Sequence, residues 1–208
     1  AVRETGLWLG HRLYVCDGSS FSMPDTDDLR NHFGQPGGQT PGCGFPTAHW
    51  LALVHFGSGL FQKVLTAPPR THDLNGVARL HPELEAGEVV HGARAFGSYG
   101  HLALLFQRGL FGIFRAHQKL LVDFTPHRAH VVPGRDKHGK HKGKPRSKWI
   151  ERLGPDDQIV EWLRPPVVPA WLTAAAWDTL PATLRVRELR YTIARPGYRV
   201  RTLTLVTT

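Results

Sequence analysis

Apolar residues along the first half of the chain come in short runs broken by glycine, serine and proline. Leu7 to Cys16 is apolar with Trp, Tyr and Val, with Gly10 and Gly18 as its punctuation; Trp50 to Phe56 repeats that character before Gly57-Ser58-Gly59, and Leu60 to Leu65 follows. Runs of this length, rich in aromatic and β-branched residues and flanked by turn formers, predict three strands, the last two joined as a hairpin. From Asp73 the apolar positions Leu74, Val77, Ala78 and Leu80 take a helical spacing, with Asp73 as the expected N-cap. Glu88 to Phe96 reads as a further strand. Ser98 then opens a helix with Leu102, Leu104, Leu105 and Phe106 on it, Gly109 stops it, and Leu110 to Ala116 reads as a strand.

The second half has a different texture. Pro133 to Lys148 holds many basic residues opposed only by Asp136, so it cannot pack as a core element and reads as a solvated loop or arm. Beyond it, Gln158 to Leu163, Leu184 to Ala194 and Tyr198 to Val206 are short β-like pieces, punctuated by Pro165-Pro166 and Pro196-Gly197, and Thr173 to Thr179 reads as a brief helix. No internal repeat is visible. The order of the first half, strand, strand, strand, helix, strand, helix, strand, is mixed α/β. It matches a ribonuclease-H-like core, in which an antiparallel meander of three strands is extended by parallel strands through helical crossovers.

Charge narrows the choice of partner. The 208 residues suit one domain, or one with a sizeable insertion. Lys plus Arg at 26 against Asp plus Glu at 17 gives +9, which favours a polyanionic partner, nucleic acid first. No apolar run approaches the roughly 20 residues of a membrane span and no leader is visible, so a cytoplasmic, nucleoid-associated protein is expected. Cys16 and Cys43 read as two ordinary thiols, with a disulfide or zinc role as the alternative, and the thirteen histidines form no ligand spacing. The missing initiator Met and the apolar run Arg201 to Thr208 at the other end read as cut termini.

The candidate chemistry lies at Asp17. An acid at the end of an apolar strand, followed by a long Gly/Pro-rich loop, is where a metal-binding carboxylate would sit; alone, Asp17-Gly18-Ser19 is also an ordinary strand-end turn. Residues 16 to 46 contain D-G-S-S-F-S-M-P-D-T, F-G-Q-P and G-C-G-F-P. These blocks resemble the start of the catalytic domain of DDE transposases of the insertion-sequence IS-four type. The likeness continues in order through Gly92-Ala93-Arg94-Ala95-Phe96, R-x-H-Q at Arg115 to Gln118, V-D-F at Val122 to Phe124, L-G-P-D-D at Leu153 to Asp157 and V-R-E-L-R at Val186 to Arg190, to the final V-T-T.

The resemblance implies a mobile-element protein that binds DNA element ends and performs metal-dependent cleavage and strand transfer with Mg²⁺ or Mn²⁺. A homodimer is an open alternative to a monomer. It also implies a layout of 1–118 as the first part of the core, 119–198 as a β-rich insertion with a basic arm at 134–148, and 199–208 as a strand returning to the core. Two-metal chemistry needs several carboxylates holding ions roughly 4 Å apart. The family pattern makes Asp17 the first catalytic acid and metal ligand, but Ala93 occupies the place of the second, and the third, a Glu in a Tyr-Arg-Glu-Lys-like helix, lies beyond Thr208. Glu88 stands five residues before Ala93, about 16 Å away on an extended strand, and neither Asp73 nor Asp123 inherits the position by spacing. Impaired catalysis with weak or absent metal binding is therefore expected, and the alternative is a non-catalytic DNA-binding remnant or competitor.

Asp25, Asp27 and Asp28 read as caps of a helical turn over Asp27 to Phe33, with a second carboxylate cluster as the other reading. The expected DNA contacts are Arg94, Arg135, Lys137, Lys140, Lys142, Lys144, Arg146 and Lys148. For the arm the alternative is a solvated loop, and for Arg94 a salt bridge at the core edge. Among the six tryptophans Trp149, beside the arm, is the candidate for base stacking; packing is the other role open to it.

Overall fold

The computed structural model describes residues 6–35, 40, 44–68, 74–118, 120–130, 147–197 and 202–208. The chain divides into two compact units, Ala1–His91 and Gly92–Thr208. The class is α/β and strand-rich, with few and short helices among the described residues.

In the first unit, β1 (Leu13–Ser22), β2 (Thr47–His55) and β3 (Phe61–Ala67) form an antiparallel meander, and β4 (Val89–Gly92) lies on the other side of β1, giving the order β3-β2-β1-β4. The expected hairpin is present: Gly59, at φ 69°, donates its N–H to the His55 carbonyl at 2.8 Å. Tyr14, Cys16, Leu51 and Leu53 are buried on one face of the meander, so that face is apolar. β1 differs from expectation in that it does not close at Asp17. It runs on to Ser22 because β2 begins early enough to pair with it, Phe21 opposite Ala48 and Ser22 opposite Thr47, so the backbone groups beyond Asp17 are satisfied although their side chains are exposed.

The Gly/Pro-rich stretch after β1 contains α1 (Asp27–Phe33). Its N-cap is Thr26, not an aspartate; Asp27 and Asp28 lie in the first turn, and Arg30 pairs with Asp25 at 3.0 Å and Asp27 at 2.5 Å. The helix expected from Asp73 is only α2 (Leu74–Val77), followed by a 3-10 turn at His81–Glu83. Gly76 and Pro82 interrupt the longer pattern, yet Val77 and Leu80 still reach the core. Asp73 lies outside the described residues.

The second unit contains α3 (Tyr99–Gln107), β5 (Phe111–Arg115), β6 (Lys148–Gly154), β7 (Asp157–Leu163), α4 (Ala174–Asp178), β8 (Thr183–Thr192) and β9 (Thr202–Thr207). The strand order is β5-β9-β8-β7-β6, and each neighbouring pair is antiparallel. The strand expected over Glu88 to Phe96 stops at Gly92, and Arg94–Phe96 coils into a 3-10 turn that buries Phe96 completely. The Phe96 carbonyl accepts from His101 Nδ1 at 2.8 Å, and a Cβ on Gly97 would lie 3.1 Å from the Arg115 carbonyl, so this turn sits tight against β5.

α3 begins and ends as its sequence predicts. Ser98 Oγ accepts from the His101 N–H at 3.4 Å, Gly109 takes φ 68°, and the N–H groups of Gly109 and Leu110 return to the carbonyls of Phe106 and Leu105. Along β8, Leu184, Val186 and Glu188 face inward while Arg185 and Arg187 face out. β6 was not expected; Lys148, assigned to the end of the arm, is its first residue and pairs with β7 opposite Glu161.

Candidate functional site

Asp17 is held by β1 opposite Ala52 of β2, and its carboxylate is exposed. Alternation along β1 turns Tyr14 and Cys16 into the core and Asp17 the other way. Its Oδ1 accepts only the N–H of Gly18, at 3.0 Å, among its described bonds. The other side chains near it in the pairing register are Val15, Ser19, Trp50 and Val54, none of them acidic. An exposed carboxylate on a well-paired strand can bind a hard cation, but the pairing register places no second acid beside it.

Ala93 is exposed and extended, at φ −64° and ψ 169°, immediately before the Arg94–Phe96 turn. Its methyl group offers no cation ligand. Arg94 donates from Nη1 to the neutral Gln118 Oε1 at 3.0 Å, while its Nε is buried with no partner. Its described partner is thus an amide rather than the carboxylate of a salt bridge, which leaves the guanidinium charge uncompensated there.

The remaining acids near these positions are engaged elsewhere. Glu88 is buried, ion-paired with Arg12 and accepting the Glu85 N–H at 2.8 Å, so it anchors the approach to β4. Asp123 Oδ1 accepts the Thr125 N–H at 3.0 Å in a local turn. Asp25 and Asp27 neutralise Arg30. Among the described residues no group of three His, Cys, Asp or Glu side chains is placed to hold a metal ion.

Of the expected DNA contacts, Arg135, Lys137, Lys140, Lys142, Lys144 and Arg146 lie outside the described residues, as does Cys43. Lys148 is exposed and reaches Glu161 at 3.4 Å. Trp149 is half-buried, its ring 4.4 Å from that of His127, and its indole Nε1 is buried without a partner. It is packed, not presented as an open platform.

Sequence reasoning missed a buried polar cluster in the second unit, centred on Glu188. Trp162 Nε1 donates to Glu188 Oε1 at 2.9 Å and Gln158 Nε2 to Oε2 at 2.8 Å. Burial raises the Glu188 pKa above the ordinary carboxylate value, and donors from Trp162, Gln158 and Ser147 together with the Arg128 charge oppose that rise. The signal was present in the sequence: a glutamate at an inward position of an alternating strand. His101 is likewise completely buried, and desolvation lowers it to about 4, so it is neutral at physiological pH.

No helix among the described residues is long and apolar enough to cross a membrane. A search of curated proteins gives no match. The family model described as "Transposase DDE domain" matches residues 8–198, a span that takes in the Asp17 block, the Ala93 block and the whole basic stretch. With the match covering most of its length and the motifs falling in order within it, this chain belongs to the transposase DDE domain family.

Proposed function

We propose that this protein acts in DNA transposition as a DDE transposase of the IS-four type whose own catalytic step is impaired. The observation that carries the impairment is Ala93 in the second acid's place, in a block that otherwise keeps Arg94, Ala95 and Phe96. Asp17 is the first acid of that pattern, exposed on β1 as a metal ligand must be. In the intact arrangement, carboxylates would hold Mg²⁺ or Mn²⁺, the ions that activate the attacking oxygen and stabilise the leaving one. Here Asp17 supplies one carboxylate, and Arg94, short of an ionic partner, remains suited to a phosphate oxygen.

A ribonuclease-H-like core is the fold that goes with this reading. Support comes from the antiparallel β3-β2-β1 meander with β4 beside β1, reached through α2, and from β5 following α3. Residues 1–118 and 199–208 are taken as core and 119–198 as the insertion; in keeping with that layout, β9 bonds to β5 on one side and β8 on the other. The test is Mn²⁺-dependent nicking of supercoiled plasmid DNA. The chain should nick at background, and Ala93→Asp in a chain that also supplies the third acid should raise the rate; robust nicking by the unchanged chain would refute the impairment.

A second reading, favoured by the net charge of +9, is a non-catalytic DNA-binding protein that competes for DNA without cutting it. Arg94, Lys148 and the basic residues of 134–148 would make the phosphate contacts, and a nucleoid-associated location would follow. Tight, salt-sensitive DNA binding combined with no nicking even when both acids are supplied would favour this reading over the first.

A further inference from the structure

β3 is the outermost strand of the meander in the first unit: among the described residues it pairs with β2 alone. Along an antiparallel strand every second residue aims its N–H and C=O away from the existing partner. On an outermost strand those groups are open to pairing with another extended chain.

The outermost strand of the second unit shows how such an edge is blunted. β6 carries three charges, Lys148, Glu151 and Arg152, and two register shifts against β7, between Trp149 and Glu151 and between Arg152 and Gly154. Both devices discourage a further strand. β3 uses them far less. Its sequence, Phe61-Gln62-Lys63-Val64-Leu65-Thr66-Ala67, holds one charge, and the Lys63 ammonium is paired with Glu83 at 3.0 Å. A single register shift, opposite Leu53 and Val54, leaves Lys63 to Ala67 regular. Phe61 is 62 % exposed and Val64 46 %. They stand opposite Val54 and Ala52, and the ring of Trp50 meets that of Phe61 edge to face at 6.0 Å, so an apolar surface runs out to the edge.

The sequence of β3 sets what the edge accepts. When β3 pairs antiparallel with the β3 of a second copy, a two-fold axis through Val64 uses all 7 residues: Phe61 faces Ala67, Gln62 faces Thr66, Lys63 faces Leu65 and Val64 faces itself. Lys63 then meets an aliphatic side chain, so no like charges oppose each other, and a β-branched pair sits on the axis. An axis one residue earlier sets Lys63 against Lys63. An axis one residue later sets Gln62 against Pro68, which has no N–H to give. The strand is thus self-complementary in charge and length about its own midpoint.

We propose that β3 is the interface of a homodimer in which two copies of this chain join their meanders edge to edge, antiparallel, about Val64. The pairing makes no demand on Asp17 or on the basic stretch. A single strand covers less than the about 800 Å² per partner of a standard interface, so the dimer is reversible and forms at high chain concentration.

The experiment is sedimentation velocity of the full chain over a concentration series, for the parent, Val64→Lys, Val64→Glu and an equimolar mixture of the two variants. The parent should pass from monomer to dimer as concentration rises. Each variant alone sets like charges face to face on the axis and should weaken the dimer about fivefold to tenfold. The mixture sets Lys against Glu and should recover the lost affinity. Because residue 64 meets residue 64 only across this axis, recovery by mixing identifies the interface as well as the oligomeric state. Val64→Cys gives a second readout: Cα atoms directly opposite across antiparallel strands lie about 4.5–5.5 Å apart, within reach of a disulfide, so oxidation should yield more covalent dimer than the parent does.

A parent that stays monomeric at every soluble concentration overturns the proposal, as does a dimer that Val64→Lys and Val64→Glu leave at parent affinity. A mixture that associates no more tightly than the separate variants overturns it too. If a charged variant fails to fold, Val64→Cys decides, and a yield of covalent dimer no higher than the parent's counts against the interface.

Discussion

At the scale of single residues, His101 and Gly97 decide how the Arg94–Phe96 turn packs in the second unit. His101 is neutral because it is completely buried, and its Nδ1 ties the Phe96 carbonyl to α3. Its folded pKa, about 4, lies below the 6.5 expected in the unfolded chain. The stabilisation is therefore full above about pH 6.5 and lost as pH falls toward 4, on the order of 3 kcal/mol at most. Thermal melts should show a midpoint that drops over this window, and His101→Leu should flatten the drop while lowering the midpoint at pH 7.5. Gly97 makes a complementary prediction. An added Cβ would meet the Arg115 carbonyl and Phe114 Cβ at 3.1 Å, so Gly97→Ala should destabilise by about 1–3 kcal/mol in chemical denaturation.

At the scale of elements, α3 is the case in which sequence and structure agree most closely. Ser98→Ala removes its N-cap acceptor and should cost about 1 kcal/mol, and Gly109→Ala should cost a similar amount because Gly109 sits at positive φ. Both are read from the midpoint of urea unfolding. α3, the β2–β3 hairpin, β5, β7 and β8 were legible because local signals decide them: a cap, a Gly stop, a turn, an alternation. The extension of β1 past Asp17 was not legible, since the backbone partners that prolong it begin at Thr47, across the intervening α1. The 3-10 turn at Arg94–Phe96 was hidden for the same reason, its geometry being set by His101 and by contact with Arg115 and Phe114. β6 escaped notice because Lys148 continued a basic run, whereas its pairing with β7 is a long-range fact. Of the candidate site, the sequence named Asp17 and Ala93 one by one, and their places, on β1 and immediately before the Arg94–Phe96 turn, follow from pairing and packing that no local signal carries.

At the scale of the whole molecule, membership of the transposase DDE domain family and a net charge of +9 both suit a transposition-related function. Duplex DNA affinity should fall steeply with salt, log affinity dropping by about 0.9 per phosphate contacted for each tenfold rise; salt-insensitive binding would count against the basic stretch as the contact. The most direct measurement is a Mn²⁺ titration of the chain, followed by calorimetry and by paramagnetic broadening, alongside Asp17→Ala. One weak ion, lost in Asp17→Ala, is the expected result. Tight binding of two ions by the unchanged chain, persisting in Asp17→Ala, would contradict it.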